Sequence, residues 1–279
     1  AYKPVTAAVS NLCAMGARAE YLTVSIGLSA RFSVEDATAL YEGIRRATEH
    51  YRLDLVGGNT SASLTGLLLS ATAIGTASDE ELILRSGARD KELLCVTGNL
   101  GAAYLGLQLL EREKRVLQGN GVSRPEINRE HAYILQRQLK PEARVDVLNQ
   151  LREAGIRPTA MIDVTRGLAS ATLHLCQRSG VGARIYLNRI PIASETFRMA
   201  EEMHIDPVVA ALNGGDDFEL LFTAPLDKHR ELLTMAGVDV IGHIVPASAG
   251  AALETPDGGE IRLQAPDWTA RVTEAETAE

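Results

Sequence analysis

Short apolar segments with a strand periodicity alternate with helical patterns along most of the chain. The clearest strand lies at residues 22–28, where four aliphatic residues alternate strictly with Thr, Ser and Gly, as in a strand with one buried face. Helical patterns occupy residues 1–17 and the segment after Ser33, which forms a helix-starting capping pair with Asp36. The sequence therefore predicts a mixed fold of the α/β (α+β) class.

The length and the charge pattern indicate two domains. A chain of 279 residues is longer than one domain of about 100–200 residues usually is. Residues 77–92 are charged and contain a glycine turn, which is typical of a linking segment. We therefore predict an N-terminal domain over residues 1–88 and a C-terminal domain over residues 89–279, the second ending in a hairpin and an acidic tail.

Composition excludes several classes of protein. A hydrophobic fraction of 46% with a charged fraction of 23% is ordinary for a folded protein, and no apolar run has the length of a membrane span. A net charge of −8 with only 4% aromatic residues gives no support to a nucleic-acid-binding surface. The three widely separated cysteines lie among apolar neighbours, which predicts reduced thiols in a cytoplasmic protein.

Three segments have the strand–turn–helix pattern that presents unpaired backbone N–H groups to a phosphate. They are Gly57–Thr60, Gly98–Gly101 and Asp163–Gly167. Taken singly, a glycine-containing turn more often has a structural role. No Walker A pattern occurs, which argues against a P-loop nucleotide site.

One acidic segment, NGGDDFEL at residues 213–220, places three acids around a double glycine before an apolar strand. Two interpretations stay open from the residues alone: a hairpin turn with solvated acids, or part of a site. The six histidines are scattered without metal-ligand spacing, and we predict structural or surface roles for them.

Seven segments in order resemble the thiamine-monophosphate kinase family. They are AYKPVTAAVSNLCAMGA, LVGGNTS, LRSGAR, VTGNLGAAYLGL, RPTAMIDVTRGL, LNGGDDFELLFT and VIGHI. The resemblance extends over residues 1–268 and includes the superfamily of aminoimidazole-ribonucleotide synthetase. It implies a two-domain fold, a homodimer joined by a barrel of N-terminal domains, and ATP with Mg²⁺ between the domains. The implied reaction transfers the γ-phosphoryl group of ATP to thiamine monophosphate.

The resemblance also implies roles for individual residues, although it assigns no catalytic residue. Gly58, Arg85 and Thr165 are implied nucleotide contacts, Asp163 a metal ligand, and Asp216 and Trp268 contacts of the thiamine moiety.

Three positions at which the family carries a metal-binding Asp differ in this chain, namely Asn11, Asn59 and Arg166. A neutral amide oxygen is a poorer ligand than a carboxylate for a hard dication. A guanidinium repels one, by about 4 kcal/mol at about 4 Å and an effective dielectric constant of about 20. The family's opening G-D-D and S-T-D motifs have no counterpart here, which implies a truncated barrel-forming domain.

We therefore expect a thiamine-monophosphate kinase family protein that binds Mg²⁺ and ATP weakly and is inactive or strongly impaired. The alternative is a non-catalytic regulatory protein that binds thiamine phosphate or a nucleotide. A purely structural dimer subunit would leave Arg85, Asp216 and Trp268 unexplained.

Overall fold

The computed structural model describes residues 1–120 and 129–265. By its internal contacts the chain divides into two units, Ala1–Leu82 and Ile83–Glu279. The division falls inside the charged segment at residues 77–92. The prediction of a mixed α/β (α+β) fold is confirmed in both units.

The N-terminal unit is a three-stranded sheet with two helices. Its elements are α1 (Tyr2–Cys13), β1 (Arg18–Leu28), α2 (Val34–Tyr51), β2 (Asp54–Ala62) and β3 (Leu68–Thr76). β1 is the central strand; it pairs in parallel with β2 and antiparallel with β3. The predicted alternation is confirmed, because Leu22, Val24 and Ile26 are buried in the core of this unit.

The capping pair at the start of α2 is confirmed. The Ser33 hydroxyl accepts a hydrogen bond from the Asp36 N–H at 3.1 Å, and Asp36 Oδ2 accepts one from the Ser33 N–H at 2.9 Å. Two N–H groups that the helix cannot pair internally are thereby satisfied. The helix ends at Arg52, which adopts the left-handed conformation.

The prediction of a phosphate-binding turn at residues 57–60 is wrong. These residues lie within β2, and Gly58 is the register partner of Val24 in the parallel pair. A Cβ atom at Gly58 would lie 2.1 Å from the Val24 carbonyl oxygen, whereas one at Gly57 would meet nothing within 4 Å. The double glycine therefore permits a close approach of two strands, a use of glycine that the sequence pattern does not distinguish from a turn.

Gly58→Ala is expected to lower the free energy of unfolding by about 1–3 kcal/mol, because the new methyl group overlaps backbone that cannot move alone. Gly57→Ala is the matched control, and its expected effect is within about 0.5 kcal/mol. Equilibrium urea unfolding of both variants measures the difference. Equal effects of the two substitutions would contradict the close approach at Gly58.

The C-terminal unit is built on a seven-stranded sheet in the order β10-β9-β6-β8-β4-β7-β5. Its strands are β4 (Leu93–Thr97), β5 (Ala160–Val164), β6 (Val181–Tyr186), β7 (Glu219–Ala224), β8 (Val238–Pro246), β9 (Ala251–Glu254) and β10 (Glu260–Arg262). Its helices are α3 (Ala102–Asn120), α4 (Ala132–Leu139), α5 (Val145–Glu153), α6 (Leu168–Ser179), α7 (Ser194–Met203), α8 (Pro207–Asn213) and α9 (His229–Thr234). Among the described residues, only the pairing of β6 with β9 is parallel in this sheet.

Helix α6 packs against one face of this sheet and forms the main core with residues such as Leu94, Leu221 and Ile241. A second core joins α3, α4, α7 and α8. The short helix α8 was not predicted, although Asp206 caps it and Pro207 begins it. None of the helices in the described part of the chain has both the length and the apolar character that crossing a membrane requires.

Candidate functional site

A cavity of about 280 Å³ in the C-terminal unit brings together four of the residues singled out in the sequence. Polar side chains dominate its wall: Arg85, Asp163, Thr165, Arg166, Ser170 and His174. Arg85 and Arg166 are exposed, whereas Asp163 is only 3% exposed. The cavity thus combines two exposed guanidinium groups with one buried carboxylate.

The strand–turn–helix pattern predicted at residues 163–167 is confirmed, and it builds this cavity. β5 is buried along its whole length and ends just before Thr165, and α6 begins just after Gly167. Gly167 has φ of 87°, and a Cβ atom there would lie 2.3 Å from the Leu212 carbonyl oxygen, so the turn requires glycine. No side chain caps the N-terminus of α6. Such a helix start favours an anion.

The backbone of the acidic segment is hydrogen-bonded to the end of β5 and to the turn that follows it. The Asp216 N–H donates to the Thr165 carbonyl oxygen at 2.9 Å, and the Phe218 N–H donates to the Val164 carbonyl oxygen at 3.0 Å. Asp216 and Phe218 both have positive φ, at 60° and 54°. Strained backbone of this kind persists only where its surroundings hold it in place.

The interpretation of the acidic segment as a turn with solvated acids is wrong for two of its three acids. Asp217 and Glu219 are completely buried. Glu219 accepts hydrogen bonds from Thr97 Oγ1 at 2.5 Å and from Arg137 Nη2 at 2.8 Å, and Arg144 Nε lies 3.5 Å from it. Burial of a carboxylate requires such partners.

The Arg137 side chain also binds the main chain of the acidic segment. Its Nη2 atom donates to the carbonyl oxygen of Asp217 at 3.0 Å and to that of Asn99 at 3.2 Å. The pKa of Arg137 is raised above its usual value. Burial by itself would lower this pKa, but the nearby carboxylates of Glu219 and Asp217 raise it by more. Arg137 was not predicted as a site residue, because it lies 80 residues from Asp217 in the sequence.

The second predicted phosphate turn, Gly98–Gly101, already holds an anion from the chain itself. Asp217 Oδ2 accepts a hydrogen bond from the Gly101 N–H at 2.9 Å, at the start of α3. Burial raises the pKa of Asp217 to about 7, and Arg137 and the Gly101 N–H oppose that rise. A side-chain carboxylate therefore occupies the position that a phosphate was predicted to take.

The other predicted residues lie elsewhere. Gly58 and Asn59 line a cavity of about 320 Å³ within the N-terminal unit, together with Tyr41 and Thr60. Asn11 is exposed on α1, and its amide donates to the Ala7 carbonyl oxygen at 3.0 Å. Trp268 lies outside the described residues.

The side chains of the C-terminal cavity do not fit a magnesium site. Asp163 is the only carboxylate among the residues that line it, and two guanidinium groups and an imidazole share the wall. Mg²⁺ requires oxygen ligands and is repelled by cations. Within residues 1–120 and 129–265, no group of three or more His, Cys, Asp or Glu side chains is placed to hold a metal ion. The donor set is suited to an anion.

Two domain families match the chain: AIR synthase related protein, N-terminal domain, over residues 1–77, and AIR synthase related protein, C-terminal domain, over residues 101–252. The thiamine-monophosphate kinase of Aquifex aeolicus is 31% identical over 237 residues, which is 85% of this chain and 72% of that protein. The chain belongs to the thiamine-monophosphate kinase family. Within this family, the thiamine-monophosphate kinase of Bacillus subtilis is also 31% identical, with 83% of this chain and 67% of that protein covered.

A solved structure of a thiamine-monophosphate kinase family member agrees with this assignment. AaThiL complexed with AMPPCP and TMP is 30% identical, with a TM-score of 0.79 over 93% of this chain and 77% of that one. The predicted two-domain fold and the predicted family are thereby confirmed. The hydrogenase maturation protein HypE of E. coli, at 18% identity and a TM-score of 0.75, shows the shared fold alone.

His174 and Ser170 are cavity residues that the sequence analysis missed. They lie four residues apart on α6 and thus on the same side of the helix. Two polar residues with this spacing, one turn after a predicted phosphate-binding turn, are the signal that could have identified them.

Proposed function

We propose that this chain binds thiamine monophosphate and ATP, and that it phosphorylates thiamine monophosphate to thiamine diphosphate at a rate too strongly reduced to exceed background. The family membership supports the choice of substrates, since AaThiL was solved with AMPPCP and TMP. The observation that carries the reduced rate is the position of Arg166, whose side chain lines the same cavity as Asp163.

In this proposal the cavity holds a phosphate group. The guanidinium groups of Arg85 and Arg166 offer paired N–H donors that match phosphate geometry, and the Thr165 hydroxyl adds a third donor. The N-terminus of α6 contributes its partial positive charge. Phosphoryl transfer between two anions depends on positioning and on the neutralisation of charge. Here the side chains and the helix position the phosphate, but they do not replace the charge of the dication, which is the reason for the reduced rate.

Asp216 is the proposed contact of the thiamine moiety. The hydrogen bond from the Asp216 N–H to the Thr165 carbonyl oxygen holds Asp216 beside the turn at residues 163–167. One substrate can therefore contact Asp216 and this turn together. Its carboxylate can accept a hydrogen bond from an aminopyrimidine without any metal.

Thiamine monophosphate is expected to bind more tightly than ATP·Mg²⁺ in isothermal titration calorimetry. Asp216→Asn keeps a residue type that tolerates the left-handed backbone but removes the charge. It is expected to weaken thiamine monophosphate about tenfold, the effect of losing one charge-assisted hydrogen bond. Asp79→Asn, at an exposed position in the N-terminal unit, is the control. Tighter binding of ATP·Mg²⁺ in the wild-type chain would contradict the proposal.

We also propose that the chain forms a homodimer through the N-terminal sheet. Tyr21 and Ile74 are cross-strand partners on its outward face, and they are 42% and 53% exposed. Leu68, 66% exposed, lies on the same face. Exposed apolar side chains near both ends of this sheet face support its use as an interaction surface. Sedimentation equilibrium is expected to show a dimer that Ile74→Lys weakens, and a wild-type monomer would contradict it.

A further inference from the structure

A second cavity of the C-terminal unit, of about 350 Å³, is lined by basic side chains. Lys91 and Arg189 carry fixed positive charges, and His229, His243 and Tyr186 add donors. None of its lining residues is an Asp or a Glu, although the protein has a net charge of −8. We call this cavity the basic cavity.

The basic cavity lies on the face of the sheet opposite to α6, and it shares no lining residue with the candidate site. Leu93 and Val240 line it, whereas their neighbours Leu94 and Ile241 belong to the core beneath α6. Successive residues of a strand point to opposite faces of a sheet. Since the two cavities have no lining residue in common, they are separate sites.

The polar groups of the basic cavity are held in position. The Tyr186 hydroxyl and His243 Nδ1 are hydrogen-bonded at 2.8 Å across two paired strands. Lys91 has φ of 68°, and its N–H donates to the Ile244 carbonyl oxygen at 2.9 Å, which fixes the backbone from which its side chain extends. Burial and the carboxylate of Glu254 raise the pKa of Tyr186, and Arg189 opposes this. Glu254 does not line the cavity.

The basic cavity continues into a wider and less charged one. The adjoining cavity, of about 680 Å³, shares Arg189 and Val240 with it. Its wall includes Ile190, Ile192 and Leu233, two Asn side chains and a single acid, Asp239. A ligand that spans both would place its anion at the basic end and an uncharged body beyond Arg189. The combined size is in the range of small-molecule sites.

We propose that this groove is a second small-molecule site, which binds a phosphate monoester with an uncharged, partly apolar body. Lys91 and Arg189 hold the phosphate, because an ammonium and a guanidinium are the side chains best suited to it. The wall next to Arg189, which combines aliphatic side chains with the amides of Asn99 and Asn188, contacts the body of the ligand. This inference does not rest on the function proposed for the Asp163 cavity.

The test uses phenyl phosphate as the probe, with phenol and inorganic phosphate as reference ligands. Binding to the full chain is measured by calorimetry and mapped by ¹⁵N chemical-shift changes. Lys91→Ala/Arg189→Ala removes the proposed phosphate contacts from exposed positions. Lys114→Ala/Arg198→Ala removes the same two charges from exposed positions outside the groove and is the matched control.

Phenyl phosphate is expected to shift the amides around Leu93, Tyr186 and Val240. The groove variant is expected to weaken its binding at least about tenfold, as the loss of a charge-assisted hydrogen bond does. The control is expected to bind as the wild type does. Shifts confined to the residues around Thr165, equal weakening in both variants, or equal affinity for inorganic phosphate would each overturn the proposal.

Discussion

The purified chain, mixed with ATP, Mg²⁺ and thiamine monophosphate, is expected to form no thiamine diphosphate above background. The physical reason is the guanidinium of Arg166, which lines the cavity beside Asp163 at a position where the family resemblance implies a second Asp. Exchange of an anion for a cation about 4 Å from a dication costs about 4 kcal/mol or more at an effective dielectric constant of about 20. A barrier higher by that amount slows a reaction by about three powers of ten.

Arg166→Asp combined with Asn59→Asp and Asn11→Asp restores the acids of the family at all three positions. We expect this triple variant to gain magnesium-dependent turnover in a coupled assay. The assay is run on two forms of the variant, one of them fused to the N-terminal segment of a family member, and the gain is expected in both. Arg178→Asp is the matched control, since it reverses the charge of another exposed arginine near the end of α6, outside the cavity. Robust magnesium-dependent activity of the unmodified chain would refute the proposed impairment, as would an equal gain in the control.

Arg137→Met is expected to cause the largest loss of stability among single substitutions near the site, about 3 kcal/mol or more. The carboxylate of Glu219 is completely buried. After the substitution it keeps only two partners among those described above, the Thr97 hydroxyl and Arg144 Nε, which lies 3.5 Å away. The substitution also removes the donor to the Asp217 carbonyl oxygen. Urea unfolding monitored by fluorescence and circular dichroism measures the loss.

Arg46→Met provides the comparison, because it breaks an ion pair with Glu42 in which the arginine side chain is 69% exposed. Its expected effect on the free energy of unfolding is much smaller than that of Arg137→Met, because solvent screens an exposed ion pair. The double variant Arg137→Met/Glu219→Gln removes the unpaired charge and is expected to recover part of the loss. A loss below about 1 kcal/mol in Arg137→Met would contradict the role of Arg137 in holding the acidic segment.

Local patterns predicted most helices and strands, because hydrogen bonds within an element and the spacing of its buried side chains depend on neighbouring residues. The alternation at Leu22–Leu28, the capping pair at Ser33 and the turn between β5 and α6 are of this kind. The turn at residues 163–167 was therefore predicted from its local pattern, and its residues Asp163, Thr165 and Arg166 line one cavity.

Such local patterns do not predict which strands pair with each other. The segment Gly57–Thr60 has the composition of a turn, and only its pairing with β1 makes it a strand, with the Val24 carbonyl oxygen occupying the space that a Cβ atom at Gly58 would need. Alternating helices and strands in the C-terminal unit likewise predict an α/β fold but do not determine the order of the seven strands. Strand order depends on contacts between residues that are distant along the chain.

The acidic segment shows most clearly what the tertiary structure decided. By itself, the sequence determined the fold class, the family and the residues of the turn between β5 and α6. It did not determine that Asp217 and Glu219 are buried, because a carboxylate is buried only where a cation and N–H donors meet it, and these come from Arg137 on α4 and from the start of α3. Only the folded chain brings those partners together, and through them it holds Asp216 beside Thr165.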